Sequence, residues 1–280
     1  MKKVLITGAN SYIGESLRKY LLEFSVYTVD VKDTIGWTPV PNDFVGYDVV
    51  FNVAGIAHIK ETKKNAELYY RINRDLVIRI AEAAKEGGVK QFILLSTMSV
   101  YGLLEGHIKK NTPTNPINAY GKSKVEADEI IAKLEDDSFK FACIRPPMVY
   151  GHGCKGNYQN LRRFAIKSPF FPDFPNRRSM IFIDNLCEFV KETIDQEKRG
   201  LFFPQNGDYT STSQMVYLVS SNNGKSIRLT KAFNWAIRIF RIRIIKKVFG
   251  DLTYEPVDLV DKISFEDSIR LTENGASNNE

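Results

Sequence analysis

Tyr120 and Lys124 stand four residues apart in Tyr120-Gly121-Lys122-Ser123-Lys124, which reads as the opening of a helix. At that spacing the two side chains share a helix face. A phenol titrates near ~10, too high for easy proton exchange at neutral pH. A neighbouring ammonium favours the phenolate and lowers that value. Such a pair can give a proton to a carbinol or carbonyl oxygen, or take one from it. Thr97, in Ser96-Thr97-Met98-Ser99-Val100-Tyr101-Gly102, supplies a hydroxyl that could hold the same oxygen still. A Tyr-x-x-x-Lys spacing also occurs on ordinary surface helices, so the pair needs context.

The context begins at the N-terminus. Gly8-Ala9-Asn10-Ser11-Tyr12-Ile13-Gly14 joins an apolar run to a helical pattern. Gly8 allows a tight turn, and Gly14 allows close packing of helix on strand. The backbone N–H groups of the helix start then face a pyrophosphate. This assigns dinucleotide binding to Gly8, Asn10, Ser11, Tyr12, Ile13 and Gly14. Ser11 replaces the middle glycine of the usual pattern, so its side chain must turn away from the diphosphate or bond to it. Asp30, near the end of the next strand, can accept hydrogen bonds from both ribose hydroxyls and would repel an extra phosphate. This favours NAD, while Lys32 keeps NADP open. Bound nicotinamide would make the Tyr120 chemistry a hydride transfer at the carbon bearing the proton-exchanging oxygen.

The elements that must hold these residues are legible as alternating strands and helices. Val4 to Thr7, Val26 to Val31, Asp48 to Val53, Gln91 to Ser96 and Phe139 to Arg145 are short β-rich runs. Tyr12 to Phe24, Glu67 to Lys85 and Ala119 to Leu134 carry helical periodicity. Alternation of this kind predicts an α/β fold, a Rossmann-like doubly wound parallel sheet with a small C-terminal substrate-binding lobe. The turn-rich stretch from Lys32 to Tyr47 leaves room only for a trimmed connection. Residues 1–153 read as the dinucleotide-binding domain, with helix 183–198 packing back onto it, and 154–280 as the lobe. Gly151 to Ser179 reads as loop. Ile183 to Glu197 reads as helix and Leu201 to Phe203 as strand. Residues 205–250 read as a lobe with one long helix, and Thr272 to Glu280 as a disordered tail.

Composition sets the surroundings. The chain has 280 residues, 43% hydrophobic and 26% charged, with a net charge of +6. That charge suggests an anionic ligand or surface. A binding motif or base-stacking aromatics on a basic face are missing, so nucleic acid is not an expected partner. Cys143, Cys154 and Cys187 have no metal-type spacing, which predicts no metal and fits a reducing cytoplasm. His58, His107 and His152 lack partner acids and read as structural or solvent-facing. The first apolar run is too short for a signal peptide. Ala232 to Phe249 is apolar with interspersed arginines. It reads either as a packed lobe helix with snorkelling arginines, the preferred reading, or as a helix lying on an anionic membrane.

Taken in order, Thr7-Gly8 through Gly14, Asp30, Asn52-Val53-Ala54-Gly55, Asn73, the Ser96 to Gly102 stretch, Tyr120/Lys124 and Arg145-Pro146-Pro147-Met148-Val149-Tyr150-Gly151 resemble the extended short-chain dehydrogenases. These are nucleotide-sugar epimerases, dehydratases and ketoreductases. The resemblance covers about residues 1–200. It implies that Thr97, Tyr120 and Lys124 are catalytic and that Ala54, Gly55, Asn73 and Ser96 line the cofactor. Pro147 would lie beside the nicotinamide. Relatives of this kind also commonly form homodimers.

Sugar-nucleotide 4,6-dehydratases of the family carry Asp-Glu directly after the catalytic Thr; here those places are Met98 and Ser99, which disfavours dehydration. Ser99, Lys155 and Asn157 would line the substrate. Arg178, in Arg177-Arg178-Ser179-Met180, matches the arginine that clamps the sugar-nucleotide diphosphate, a role suited to its paired N–H donors. Gly153 to Tyr158, Phe170 to Pro172 and Arg178 to Met180 resemble a bacterial polysaccharide subgroup. That resemblance implies reduction of a UDP-4-keto-6-deoxy-N-acetylhexosamine. UDP-glucose or UDP-N-acetylglucosamine 4-epimerisation is the alternative, and a non-catalytic dinucleotide sensor the third reading.

Overall fold

The computed structural model describes residues 1–57, 59, 61–62, 64–240 and 242–275. They form two compact units. The first comprises Met1–Gly102, Pro113–Pro146 and Cys187–Phe203. The second comprises Leu103–Thr112, Pro147–Leu186 and the chain from Pro204 onward.

The first unit is built on a six-stranded sheet in the order Gly200–Phe202, Lys140–Ile144, Gln91–Leu95, Val49–Asn52, Lys2–Thr7, Tyr27–Lys32. Every pairing in it is parallel. A parallel sheet covered on both faces needs continuous apolar strands. Val4 to Ile6, Val49 to Phe51 and Phe92 to Leu94 are indeed buried throughout. Strand order reverses beside Lys2–Thr7, so the carboxyl ends of Lys2–Thr7 and Val49–Asn52 open the crevice where such sheets bind ligands. The Thr7 hydroxyl donates to Asn52 Oδ1 across that opening at 2.7 Å. The register at the other end of the same two strands is fixed by Lys3 N–H donating to Asp48 Oδ2 at 3.0 Å.

Tyr12–Leu22 and Ala119–Ala132 form as helices where periodicity places them. Lys32 to Tyr47 contains only a short 3₁₀ turn, Pro41–Phe44, whose Phe44 plugs the core. The expected continuous helix from Glu67 to Lys85 is instead Ala66–Tyr70, a π turn Arg71–Leu76, and Val77–Glu86. A π turn inserts an extra residue per turn and re-aims a side chain. Here it carries Asn73, whose amide reaches the backbone of Ile56.

The second unit is less regular. Gly151 to Ser179, expected as loop, contains the helix Asn157–Lys167 and the strand Phe170–Pro172, which pairs with Arg228–Thr230. The polar composition hid an amphipathic helix that buries Tyr158 and Ala165. Instead of one long helix, residues 205–250 hold Thr212–Asn222, Asn234–Ile239 and Arg243–Phe249. The last two are separated because Ile242 is extended. The expected disordered tail begins too early: Thr272 lies in the helix Phe265–Asn274, with Ser268, Ile269 and Thr272 buried. Residues 276–280, Arg241 and His58 lie outside the described residues. His107 bonds Thr253 Oγ1 and His152 bonds the Thr272 carbonyl. All three cysteines are buried, and none forms a disulfide among the described residues.

Candidate active site

The dinucleotide turn has the conformation that its sequence requires. Gly8 sits at φ +104°, and a Cβ there would stand 2.8 Å from the Ala54 nitrogen. The loop therefore runs against Ala54 at the sheet's carboxyl edge, an approach open only to glycine. Asn10 follows in the left-handed region at φ 61°. Ser11 caps the helix: its Oγ accepts the Gly14 N–H at 3.2 Å. Tyr12 and Ile13 open the helix beyond it.

Asp30 lies within the strand Tyr27–Lys32 rather than at its end. It pairs with Leu5, two positions short of Thr7. Its Oδ2 accepts the Tyr47 hydroxyl at 2.8 Å, and Lys3 Nζ lies 3.9 Å away. Burial and that carboxylate push the Tyr47 phenol up to about 12. The strand instead continues to Lys32, whose carbonyl accepts the N–H groups of Gly8 at 2.9 Å and Ala9 at 3.3 Å. The exposed carboxylate adjoining the glycine turn is therefore Asp33, and its Oδ1 accepts the Ile35 N–H at 3.0 Å.

Gly55, Asn73 and Lys124 come together. Asn73 Oδ1 accepts the Ile56 N–H at 2.7 Å, and its Nδ2 donates to the Ile56 carbonyl at 3.1 Å. A Cβ on Gly55 would lie 3.0 Å from Asn73 Oδ1 and 3.4 Å from Lys124 Nζ. Ala54 and Gly55 thus form a rigid ledge beside the Lys124 ammonium.

The helix carrying Tyr120 starts at Asn118, whose Oδ1 accepts the Gly121 N–H at 2.8 Å. Gly121 lets it approach the Thr97 turn, since a Cβ there would meet the Ser99 carbonyl at 3.0 Å. Thr97 caps that 3₁₀ turn, accepting from Ser99 N–H at 3.1 Å. Its side chain stands near enough to the Tyr120 hydroxyl to lower that phenol's pKa. Tyr120 packs edge-on against Tyr69, ring centroids 6.2 Å apart. Burial raises the Tyr120 phenol above its ordinary range, opposed by the Thr97 side chain. Lys124 is buried and donates to the Leu95 carbonyl at 2.9 Å. Burial lowers its pKa, and the Asp128 carboxylate opposes that shift. Thr97, Tyr120 and Lys124 all lie in the first unit, Thr97 just past the carboxyl end of Gln91–Leu95 and Lys124 bonded to the carbonyl of that strand's last residue.

Ser96 precedes Thr97 and is buried. Its hydroxyl donates to Asp128 Oδ2 at 2.7 Å in a buried cluster. Arg145 Nε donates to the same oxygen at 3.1 Å, and Arg145 Nη1 donates to the Tyr101 hydroxyl at 2.9 Å. The motif residues Tyr101 and Arg145, with Asp128, are the support beneath Lys124, which motif reading left without a role.

In the second unit, Pro147 is buried and Lys155 and Asn157 are exposed at the start of Asn157–Lys167. Ser99, in the first unit, is exposed. Arg178 is half-buried, and its Nη1 donates to the Gly250 carbonyl at 2.8 Å. No hydrogen bond among the described residues joins Arg178 to Lys155 or Asn157. Gly250 and Asp251 line a cavity of about 480 Å³, together with Glu105, Phe174, Arg238 and Lys246. Lys246 and Glu105 are paired at 3.2 Å. Glu105 and Asp251 belong to no motif, and nothing in their spacing marked them.

A family model described as "NAD dependent epimerase/dehydratase family" matches residues 4–199. The chain is 29% identical to a UDP-glucose 4-epimerase of Vibrio cholerae, over 94% of this chain and 85% of that protein. It is 27% identical to an N-acetyl-alpha-D-glucosaminyl-diphospho-ditrans,octacis-undecaprenol 4-epimerase of Escherichia coli O157:H7, over 70% of this chain and 64% of that one. Among solved structures, a UDP-glucuronic acid 4-epimerase from Bacillus cereus in complex with NAD superimposes with a TM-score of 0.77 at 18% identity, covering 97% of each chain. A dTDP-4-dehydrorhamnose reductase from Clostridium acetobutylicum gives 0.70 at 20% identity, covering 97% of this chain and 98% of that one.

Proposed function

The chain belongs to the NAD dependent epimerase/dehydratase family, and we propose that this NAD-dependent enzyme moves hydride at C4 of a UDP-sugar, with reduction of a UDP-4-keto-6-deoxy-N-acetylhexosamine as its reaction. The observation that carries this reading is the nearness of the Thr97 side chain to the Tyr120 phenol, with the buried Lys124 ammonium one turn along the same helix.

Gly8, the capped helix start at Ser11, Ala54, Gly55 and Asp33 would hold the dinucleotide; the close approach of Gly8 to Ala54 fits a backbone cradle for its pyrophosphate. When bound, nicotinamide supplies or accepts the hydride. Tyr120 gives its proton to the C4 oxygen. Burial holds that phenol protonated at neutral pH, the form a ketone reduction needs. Thr97 bonds the same oxygen and fixes its position. Lys124 steadies the phenolate left behind, since its ammonium is one turn away on the same helix. In the second unit, Arg178 is a cation whose paired N–H donors suit the diphosphate of a sugar nucleotide. Met98 and Ser99 offer no acid–base pair for loss of water.

Purified protein with NADH or NADPH and the 4-keto sugar nucleotide should lose absorbance at 340 nm. No loss with authentic substrate would count against reduction. The names of the relatives favour a second reading, 4-epimerisation, which uses the same three residues. Conversion of UDP-glucose to UDP-galactose without added NADH would select it. A dinucleotide sensor would need none of the Thr97, Tyr120 and Lys124 constellation.

A further inference from the structure

Residues 233–244 leave an unusual amount of apolar surface in water. Trp235 is 64% exposed, Ile239 65%, Phe240 55%, Ile242 57% and Ile244 60%. In the helix Asn234–Ile239, Ile237 is the buried residue. Trp235 and Ile239 are one turn apart on another face, so the helix has satisfied its inward side and carries a second apolar set outward. Phe233, also exposed, stacks on exposed Phe170 with centroids 6.1 Å apart, extending the patch. The packed-helix reading of Ala232 to Phe249 accounts for Ile237 and leaves these side chains unexplained.

The charge of the same segment is one-sided. Residues 231–250 contain Lys231, Arg238, Arg241, Arg243, Lys246 and Lys247, with neither Asp nor Glu. These six cations account for the chain's whole net charge of +6. Lys246 is taken up by Glu105. Lys231, Arg238, Arg243 and Lys247 are exposed around the apolar residues.

We propose that residues 231–247 form a docking surface for an anionic lipid bilayer. Exposed Trp, Phe and Ile beside Lys and Arg can sink into the boundary between headgroups and acyl chains while the cations meet lipid phosphates. A second copy of the chain fits less well, because a two-fold contact would set this cationic patch against itself. Single-stranded nucleic acid would find cations, but Ile239, Ile242 and Ile244 offer no face for base stacking.

The test is co-sedimentation of the full chain with vesicles of phosphatidylglycerol and phosphatidylethanolamine, against vesicles of phosphatidylcholine alone. The expected result is pelleting with the anionic vesicles, weakened about tenfold or more without anionic lipid or in high salt. The variant Trp235→Ser/Ile239→Ser/Phe240→Ser and the variant Arg243→Gln/Lys247→Gln should each stay in the supernatant. Both should keep the circular dichroism spectrum of the parent, as solvent-facing positions allow. Parent protein that stays in the supernatant with anionic vesicles overturns the proposal. So does pelleting that both folded variants retain, or a dimer that the serine variant converts to monomer while vesicle binding is absent.

Discussion

Lys124 and Asp128 lie one turn apart on the Tyr120 helix, both buried, with the ammonium bonded to the Leu95 carbonyl and the carboxylate bonded to Ser96 and Arg145. Burial alone would drive Lys124 toward its neutral form; Asp128 works against it. Replacing Asp128 with Asn removes that opposition. Lys124 then loses its proton at a lower pH, so the alkaline limb of the kcat profile should move to lower pH. The change also leaves Arg145 without its buried partner, a loss of about 3–5 kcal/mol of stability. An unmoved alkaline limb in a folded variant would show that Asp128 serves packing alone.

Tyr120→Phe keeps the ring against Tyr69 and removes only the hydroxyl near Thr97. The fold and NADH binding should persist. Turnover should fall by about 10²–10⁴, the usual contribution of a positioned acid–base group. Cofactor titration by fluorescence beside a kcat measurement separates the two effects. Full turnover in the phenylalanine variant would remove Tyr120 from the mechanism.

The sheet was legible in the sequence because it rests on local patterns. Strands such as Val49–Asn52 show as continuous apolar runs, and Tyr120 and Lys124 share a face by helical spacing alone. What was illegible depends on partners distant in sequence. The Ser96 hydroxyl bonds Asp128, thirty-two positions on, a partner that no local pattern marks. Asn157–Lys167 reads as a polar loop because its buried residues, Tyr158 and Ala165, are few. The π turn at Asn73 has no sequence mark at all; it exists because the side chain must reach Ile56. The end of the strand that carries Asp30 was also hidden, because strand ends are set by pairing with a neighbour, here Thr7 with Lys32, which leaves Asp33 just beyond it.

That last difference gives a direct comparison of two carboxylates. Asp33→Asn should raise the KM for NADH about tenfold and narrow the preference over NADPH, since the ribose hydroxyls would lose a charged acceptor. Asp30→Asn should leave both constants within about twofold, because its partners are Tyr47 and Lys3. Initial rates with each nucleotide decide the matter. The reverse ranking would return the role to Asp30.

Gly8→Ala tests the cradle. At φ +104° an alanine is strained by about 1–3 kcal/mol. Its Cβ would also press on the Ala54 nitrogen and push the turn off the sheet edge. The melting temperature should drop, and NADH affinity should fall by about tenfold or more, equivalent to 1.4 kcal/mol. Isothermal titration on the folded fraction reads the second effect separately. Unchanged affinity would mean that the turn does not carry the dinucleotide.

Asp48 sets the acid end of the stability profile. Its Oδ2 accepts the Lys3 N–H and its Oδ1 meets Lys90 Nζ at 3.3 Å, tying the starts of two central strands together. The backbone bond from Lys3 holds the carboxyl below its ordinary pKa, against some loss of hydration. A carboxyl with a lower pKa folded than unfolded stabilises the protein above the unfolded value, near ~3.9, and that contribution disappears as pH falls through the folded value. Asp195 and Glu197 are shifted the same way by their own partners, so the effect accumulates. Thermal melts from pH 7 downward should be flat to about pH 5 and then fall steeply. Asp48→Asn should lie below the parent at pH 7 and approach it in acid, because an amide has no proton to gain. Parallel curves for parent and variant would show that the Asp48 charge adds nothing to the sheet.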